Sequence, residues 1–136
     1  DHGSVGLPSL YYGLKFIFEG YKTLPPLIES QGLDAVKTYY KNYLAPYGIK
    51  LRPPQAVIYD LAFLAESNGR YDEAIEYHKY NIKNHPKFAH GHYTLAKTYA
   101  LAGEKTQAIT HFEKALKLEP KMAAYIRPWL MKLKKR

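Results

Sequence analysis

Residues 56–86, AVIYDLAFLAESNGRYDEAIEYHKYNIKNHP, can be laid above residues 90–120, HGHYTLAKTYALAGEKTQAITHFEKALKLEP. Tyr59 then falls on Tyr93, Leu61 on Leu95, Ala62 on Ala96, Gly69 on Gly103, Ala74 on Ala108, Ile75 on Ile109 and Pro86 on Pro120, each pair 34 residues apart. A period of this length carries one helix-turn-helix unit per copy. The small residues Ala62 and Ala74, and Ala96 and Ala108, let the two helices of a copy approach closely. Gly69 and Gly103 stand where a first helix stops, a position that favours a residue able to take positive φ. Pro86 and Pro120 end the second helices. Asp72 and Thr106, near the start of those helices, are expected to cap them.

The second copy resembles the tetratricopeptide repeat through Leu95, Ala96, Tyr99, Gly103, Ala108, Phe112, Ala115 and Pro120. The first copy departs from that pattern at His78, where a large aromatic is usual, and at Asn81, where alanine is usual. These departures suggest an end repeat packed against something other than another repeat. The resemblance spans residues 55–120. It implies an all-α fold of helical hairpins in a right-handed superhelix, whose first helices line a concave surface that binds protein. The positions facing that surface are Ala56, Tyr59, Phe63 and Glu66 in the first copy, and His90, Tyr93, Lys97 and Ala100 in the second. Lys97 is the one cation among them, so a clamp for a terminal carboxylate is not expected. Tyr59 and Phe63 suit an apolar partner.

Two repeats are fewer than a stable stack usually needs, so additional helices are expected at both ends. Residues 121–136 read as a capping helix, with Met122, Ile126, Trp129, Leu130 and Leu133 on one stripe. Pro128 should kink or restart it. Residues 25–54 read as a linker followed by a packing helix at about 33–45, with Leu33, Val36, Tyr40, Tyr43 and Leu44 at helical spacing. The stretch IKLRPPQ should run extended, because a residue before proline avoids the helical region. A further helix is expected at 9–21, with Leu10, Leu14, Ile17, Phe18 and Tyr21 on one face.

The opening, DHGSVGLPSLYYGLKFIFEGYK, followed by a helix ending in YYKNYLAPYGIKLRPPQ and then by the repeats, resembles the C-terminal end of bacterial esterases of the α/β-hydrolase superfamily, similar to siderophore-ester hydrolases. In that family a His-Gly loop after the last core strand supplies the catalytic histidine, and a helix rich in Leu, Tyr and Phe follows. The resemblance implies that residues 1–24 are the tail of a hydrolase domain and that His2 is its catalytic histidine in the full-length parent. The parent would be a carboxylic ester hydrolase. An exported, periplasmic parent fits this picture and would carry its signal upstream. The sequence holds no G-x-S-x-G nucleophile elbow, which such an enzyme places before its acid and histidine. Ser4 has no elbow, and Asp1 adjoins His2 too closely to orient it. The chain by itself is expected to be catalytically inert. The alternative is a free-standing tetratricopeptide module that binds a helix or peptide.

The 136 residues carry a formal charge of +8 and include no cysteine. Disulfides, thiolate catalysis and Cys-ligated zinc are therefore excluded. Much of the basic excess sits in the tail, at Lys132, Lys134, Lys135 and Arg136. No basic stripe interleaved with aromatics marks a nucleic-acid groove, and no apolar run is long enough to span a membrane. His90 and His92 point to different sides of one helix, and His111 lies alone on another, so no metal site or cofactor is expected. Fourteen tyrosines suit half-buried helix contacts and interfaces. The expected partners are an upstream hydrolase domain, another protein or peptide, or a second copy of the chain.

Overall fold

A computed structural model of the chain describes residues 31–43 and 45–135. All regular structure among them is helical: α1 (Leu33–Tyr43), α2 (Gln55–Ser67), α3 (Tyr71–Asn84), α4 (Ala89–Leu101), α5 (Lys105–Leu118) and α6 (Ala123–Lys134), with single 3₁₀ turns at Ala45–Tyr47 and Pro120–Met122. Among the described residues, no helix is long and apolar enough to cross a membrane. The expected helix at 9–21 and the residues of the His2 loop lie outside the described residues. The chain divides into two compact units, residues 1–57 and 58–136, with the division inside α2.

In the first unit, α1 follows Gly32, whose φ is +81°. Val36 and Tyr40, one turn apart, are fully buried. Tyr39 packs edge-on to Tyr40 at 5.3 Å and tilts against Tyr43 at 5.5 Å. Asp34 pairs with Lys37 in the first turn, where a carboxylate also complements the helix dipole. Residues 49–54 have no regular structure, as the two prolines require.

The second unit holds the repeats. Its core unites Ile75 of α3, Leu95, Ala96 and Tyr99 of α4, Ala108, Phe112 and Ala115 of α5, and Ile126 of α6. Ala62, Ala74, Ala96 and Ala108 have no exposed surface, so all four alanines common to the copies lie where helices meet. Phe112 is also fully buried, which contributes about 2–3 kcal/mol. Trp129 of α6 stacks on its ring at 5.9 Å, and Tyr93 reaches the ring at 5.9 Å.

Both first helices end in the same way. The amide of Gly69 donates to the Glu66 carbonyl at 2.9 Å and that of Arg70 to the Ala65 carbonyl at 2.8 Å. The amide of Gly103 donates to Ala100 at 3.3 Å and that of Glu104 to Tyr99 at 2.8 Å. This paired pattern is a Schellman motif, and it needs the left-handed conformation at the glycine. Gly69 and Gly103 have φ of +72° and +84°.

Two local expectations are corrected. Asp72 and Thr106 do not cap: Arg70 and Glu104 occupy the cap positions of α3 and α5, without side-chain cap bonds. Each expected cap is already the second residue of its helix, because the Schellman turn leads directly into it. Asp72 instead puts negative charge in the first turn, where the dipole favours it. Nor does Pro128 restart the last helix, since α6 runs through it from Ala123 to Lys134. One backbone hydrogen bond is lost there. Ile126 on one side and Trp129, Leu130 and Leu133 on the other are held by the core, and this burial outweighs the lost bond.

Candidate functional site

The positions repeated along α2 and α4 build a cleft of about 280 Å³, lined by Tyr59, Phe63 and Glu66 of α2, His78 of α3, and Thr94 and Lys97 of α4. Tyr59, Phe63 and Glu66 recur at intervals of four and three, so they share one face of their helix. Four of the eight positions expected on a protein-binding surface, Tyr59, Phe63, Glu66 and Lys97, therefore line one cleft. His90 and Tyr93 extend its aromatic wall. Of the two alanines on the same expected face, Ala56 is exposed. Ala100 turns partly inward against the core.

The floor is polar and tightly bonded. His78 Nε2 lies 3.1 Å from Glu66 Oε1, with side-chain exposures of 4% and 19%. The fully buried Thr98 hydroxyl donates to the same carboxylate oxygen. His78 Nδ1 lies 3.5 Å from Thr94 Oγ1. Burial alone would raise the Glu66 pKa. Hydrogen bonds from His78 and Thr98, with the charges of His78 and Lys97, outweigh it and hold the carboxyl below its ordinary value. Glu66 thus remains an anion that fastens α2 to α3 and α4.

Through this network the first copy meets the second. His78, one of its two departures, faces Thr94 of the second repeat.

Carboxylate, imidazole and hydroxyl in sequence suggest a hydrolytic triad, but the hydroxyl is committed elsewhere. Thr94 Oγ1 donates to the backbone carbonyls of Gly91 at 3.0 Å and His90 at 3.2 Å, and the residue is buried. A nucleophile must aim its proton at the imidazole. Here the three groups hold helices together.

The wall is aromatic. Tyr59 Oη lies 3.2 Å from His90 Nε2, and the two rings stack at 5.9 Å. Tyr93 tilts against His90 at 5.7 Å. Lys97 Nζ stands 5.8 Å from the centre of the Tyr93 ring, within cation–π range. Burial, and then the charges of Glu66, Tyr93 and Asp60, raise the Tyr59 pKa, so its hydroxyl keeps its proton. Phe63 is 66% exposed at the rim. The cleft thus offers an incoming chain an apolar ring, a hydroxyl, a cation and an anion.

A second constellation lies on the other side of α4, and spacing alone did not reveal it. His111 is not alone: its Nδ1 lies 3.0 Å from His92 Nδ1, with the rings stacked at 5.3 Å. His92 Nε2 lies 3.3 Å from the Pro86 carbonyl, which can only accept. Nε2 therefore carries the His92 hydrogen, and His111 Nδ1–H donates to His92 Nδ1. Burial, followed by the charges of His92, Lys114 and Lys79, pulls the His111 pKa down to about 4. The His92 pKa is also lowered, by burial first and by Lys114, against the opposing bond to Pro86. Among the described residues, no three His, Cys, Asp or Glu side chains gather as metal ligands would.

Helical hairpins closed by Schellman turns, packed through alanines and carrying a cleft along their first helices, have the architecture of a helical-repeat fold of the tetratricopeptide kind. Residues 89–122 match the tetratricopeptide repeat family. That segment begins at the first residue of α4 and ends with the 3₁₀ turn after α5. No curated protein matches the chain.

Proposed function

We propose that this chain is the C-terminal accessory domain of a serine ester hydrolase, and that its repeats bind a protein segment in the cleft between α2 and α4. The observation that carries the binding role is Phe63, a large ring left 66% exposed on the rim of a cleft whose floor is otherwise fully bonded. An apolar side chain from a helix or extended peptide would cover Phe63 beside Tyr59, with Lys97 meeting a carboxylate or backbone carbonyl of the same segment. The esterase role is supported by the resemblance of the His2–Gly3 loop and residues 9–21. In the full-length parent, His2 would take the proton from an upstream serine and return it to the leaving group. The remaining triad members would come from outside this chain.

Two experiments test the two parts separately. Reading the gene upstream of the Asp1 codon should reveal G-x-S-x-G followed by an Asp or Glu; an initiating methionine close to Asp1 would overturn the esterase assignment. For the cleft, peptides selected from a displayed library on the purified chain should bind Phe63→Asp and Tyr59→Ala about tenfold more weakly or worse. Equal binding to wild type and both variants would remove the cleft from the interaction.

A further inference from the structure

We propose that the outer stripe of α6 is a second docking surface, independent of the cleft, for an acidic amphipathic helix of a partner protein. Residues 120–136 contain Lys121, Arg127, Lys132, Lys134, Lys135 and Arg136 but no Asp or Glu, so this segment holds six of the eight net positive charges. The inner face of α6 is spent on the core, through Ile126, Trp129, Leu133 and part of Leu130. Beside it, Arg127, Leu130, Met131, Lys134 and Lys135 line an open apolar depression of about 420 Å³. Their numbers differ by three, four, seven and eight from the first, which puts them on one helical stripe. The stripe has an apolar centre, Met131 beside the half-buried edge of Leu130, with cations one turn before and after. Met131 is 59% exposed.

The charges are available. Among the described residues, Arg127 and Lys135 have no ion-pair partner. Lys134 meets Glu113 at 3.2 Å, but both side chains are more than half exposed, and such a pair contributes little. A partner helix carrying two apolar residues, with acidic residues one turn to each side, meets every feature of the stripe at once. The same stripe of a second copy of this chain would set cations against cations. A nucleic-acid backbone would leave Leu130 and Met131 against phosphate. A bilayer needs a broad apolar face, and most apolar side chains of α6 already face the core.

The test is fluorescence anisotropy of the intact chain with a short labelled helical peptide of the pattern Glu, two leucines one turn on, and two glutamates a further turn on. Its controls are a scrambled peptide of equal composition, phosphatidylserine vesicles and duplex DNA. The patterned peptide should bind about tenfold tighter than the scramble or better. The double variant Arg127→Glu with Lys135→Glu, and separately Met131→Asp, should each weaken it by about tenfold. Helix content by circular dichroism should be unchanged, and if Met131→Asp lowers it, the charge-reversed variant decides. The proposal fails if the patterned peptide does not bind, if the scramble binds equally well, if both variants bind normally, or if vesicles or DNA are preferred.

Discussion

His78 of α3 holds Glu66 of α2 at 3.1 Å, on the carboxylate oxygen that also receives the Thr98 hydroxyl of α4. One anion therefore joins three helices across both repeats. Glu66→Ala leaves the buried His78 imidazole without its carboxylate, while the Thr98 hydroxyl falls back on the Thr94 carbonyl at 3.0 Å, and should destabilise the fold by about 1–3 kcal/mol. The sign of the pH dependence follows from the lowered Glu66 pKa. A carboxyl whose folded value lies below its unfolded one stabilises above the unfolded value, and that contribution is lost as pH falls through the folded value. The gap between wild type and Glu66→Gln should thus be largest near neutrality and close in acid. Chemical denaturation of both proteins across that range checks it, and a gap that widens in acid would contradict the assignment.

Gly103 isolates a purely backbone requirement. Its φ is +84°, and a Cβ built there meets no atom within 4 Å. Gly103→Ala should therefore cost about 1 kcal/mol through the left-handed conformation alone. Gly103→Asn should cost less, because asparagine tolerates this region better. Thermal melts of the two variants should rank in that order; equal stability of all three proteins would mean that the turn relaxes.

The features that repeat every 34 residues were legible because each is a demand on one position: room between helices for Ala96, positive φ for Gly103, an end of helix for Pro120. Helical spacing gathers Tyr59, Phe63 and Glu66 on one face of α2, and the resemblance to the tetratricopeptide repeat set Lys97 of α4 beside them. The floor was not legible. Glu66 and His78 are 12 residues apart, and Glu66 and Thr98 are 32 apart. No spacing rule joins a carboxylate on one helix to a hydroxyl two helices later. The His92–His111 contact, 19 residues apart, was missed for the same cause. Asp72 and Thr106 show a different error: the residue type was right for a helix start, but the helix begins two residues sooner than a side-chain cap at these positions would need, at caps Arg70 and Glu104.

Ala96 and Ala108, both fully buried in one core, should not tolerate growth. Ala96→Leu or Ala108→Leu adds methylenes where α4 and α5 already touch and should cost about 1–3 kcal/mol. Ala→Ser at either site adds one oxygen rather than three carbons and serves as the volume control. Denaturation midpoints should fall more for leucine than for serine. Wild-type stability in both leucine variants would mean that the close approach lies elsewhere.

The histidine pair predicts a loss of stability in mild acid. An unfolded histidine has its ordinary value of 6.5, whereas folded His111 lies at about 4 and folded His92 is also lowered. Between the folded and unfolded values, the unfolded chain binds protons that the native chain refuses, so stability rises with pH across that window. The groups around the pair reinforce the effect: Lys79 and Lys114 repel an added charge, and the single hydrogen between the two Nδ1 atoms leaves no site there for another. Melting temperature should therefore fall from about pH 7 to about pH 5, a range in which histidine titrates and ordinary carboxylates have barely begun. His111→Gln cannot take up a proton and should flatten that fall, even if its stability at neutral pH is lower. The comparison reads slopes rather than absolute stability, so a general weakening by substitution does not mimic it. A His111→Gln slope as steep as that of wild type would show that the acid sensitivity resides outside this pair.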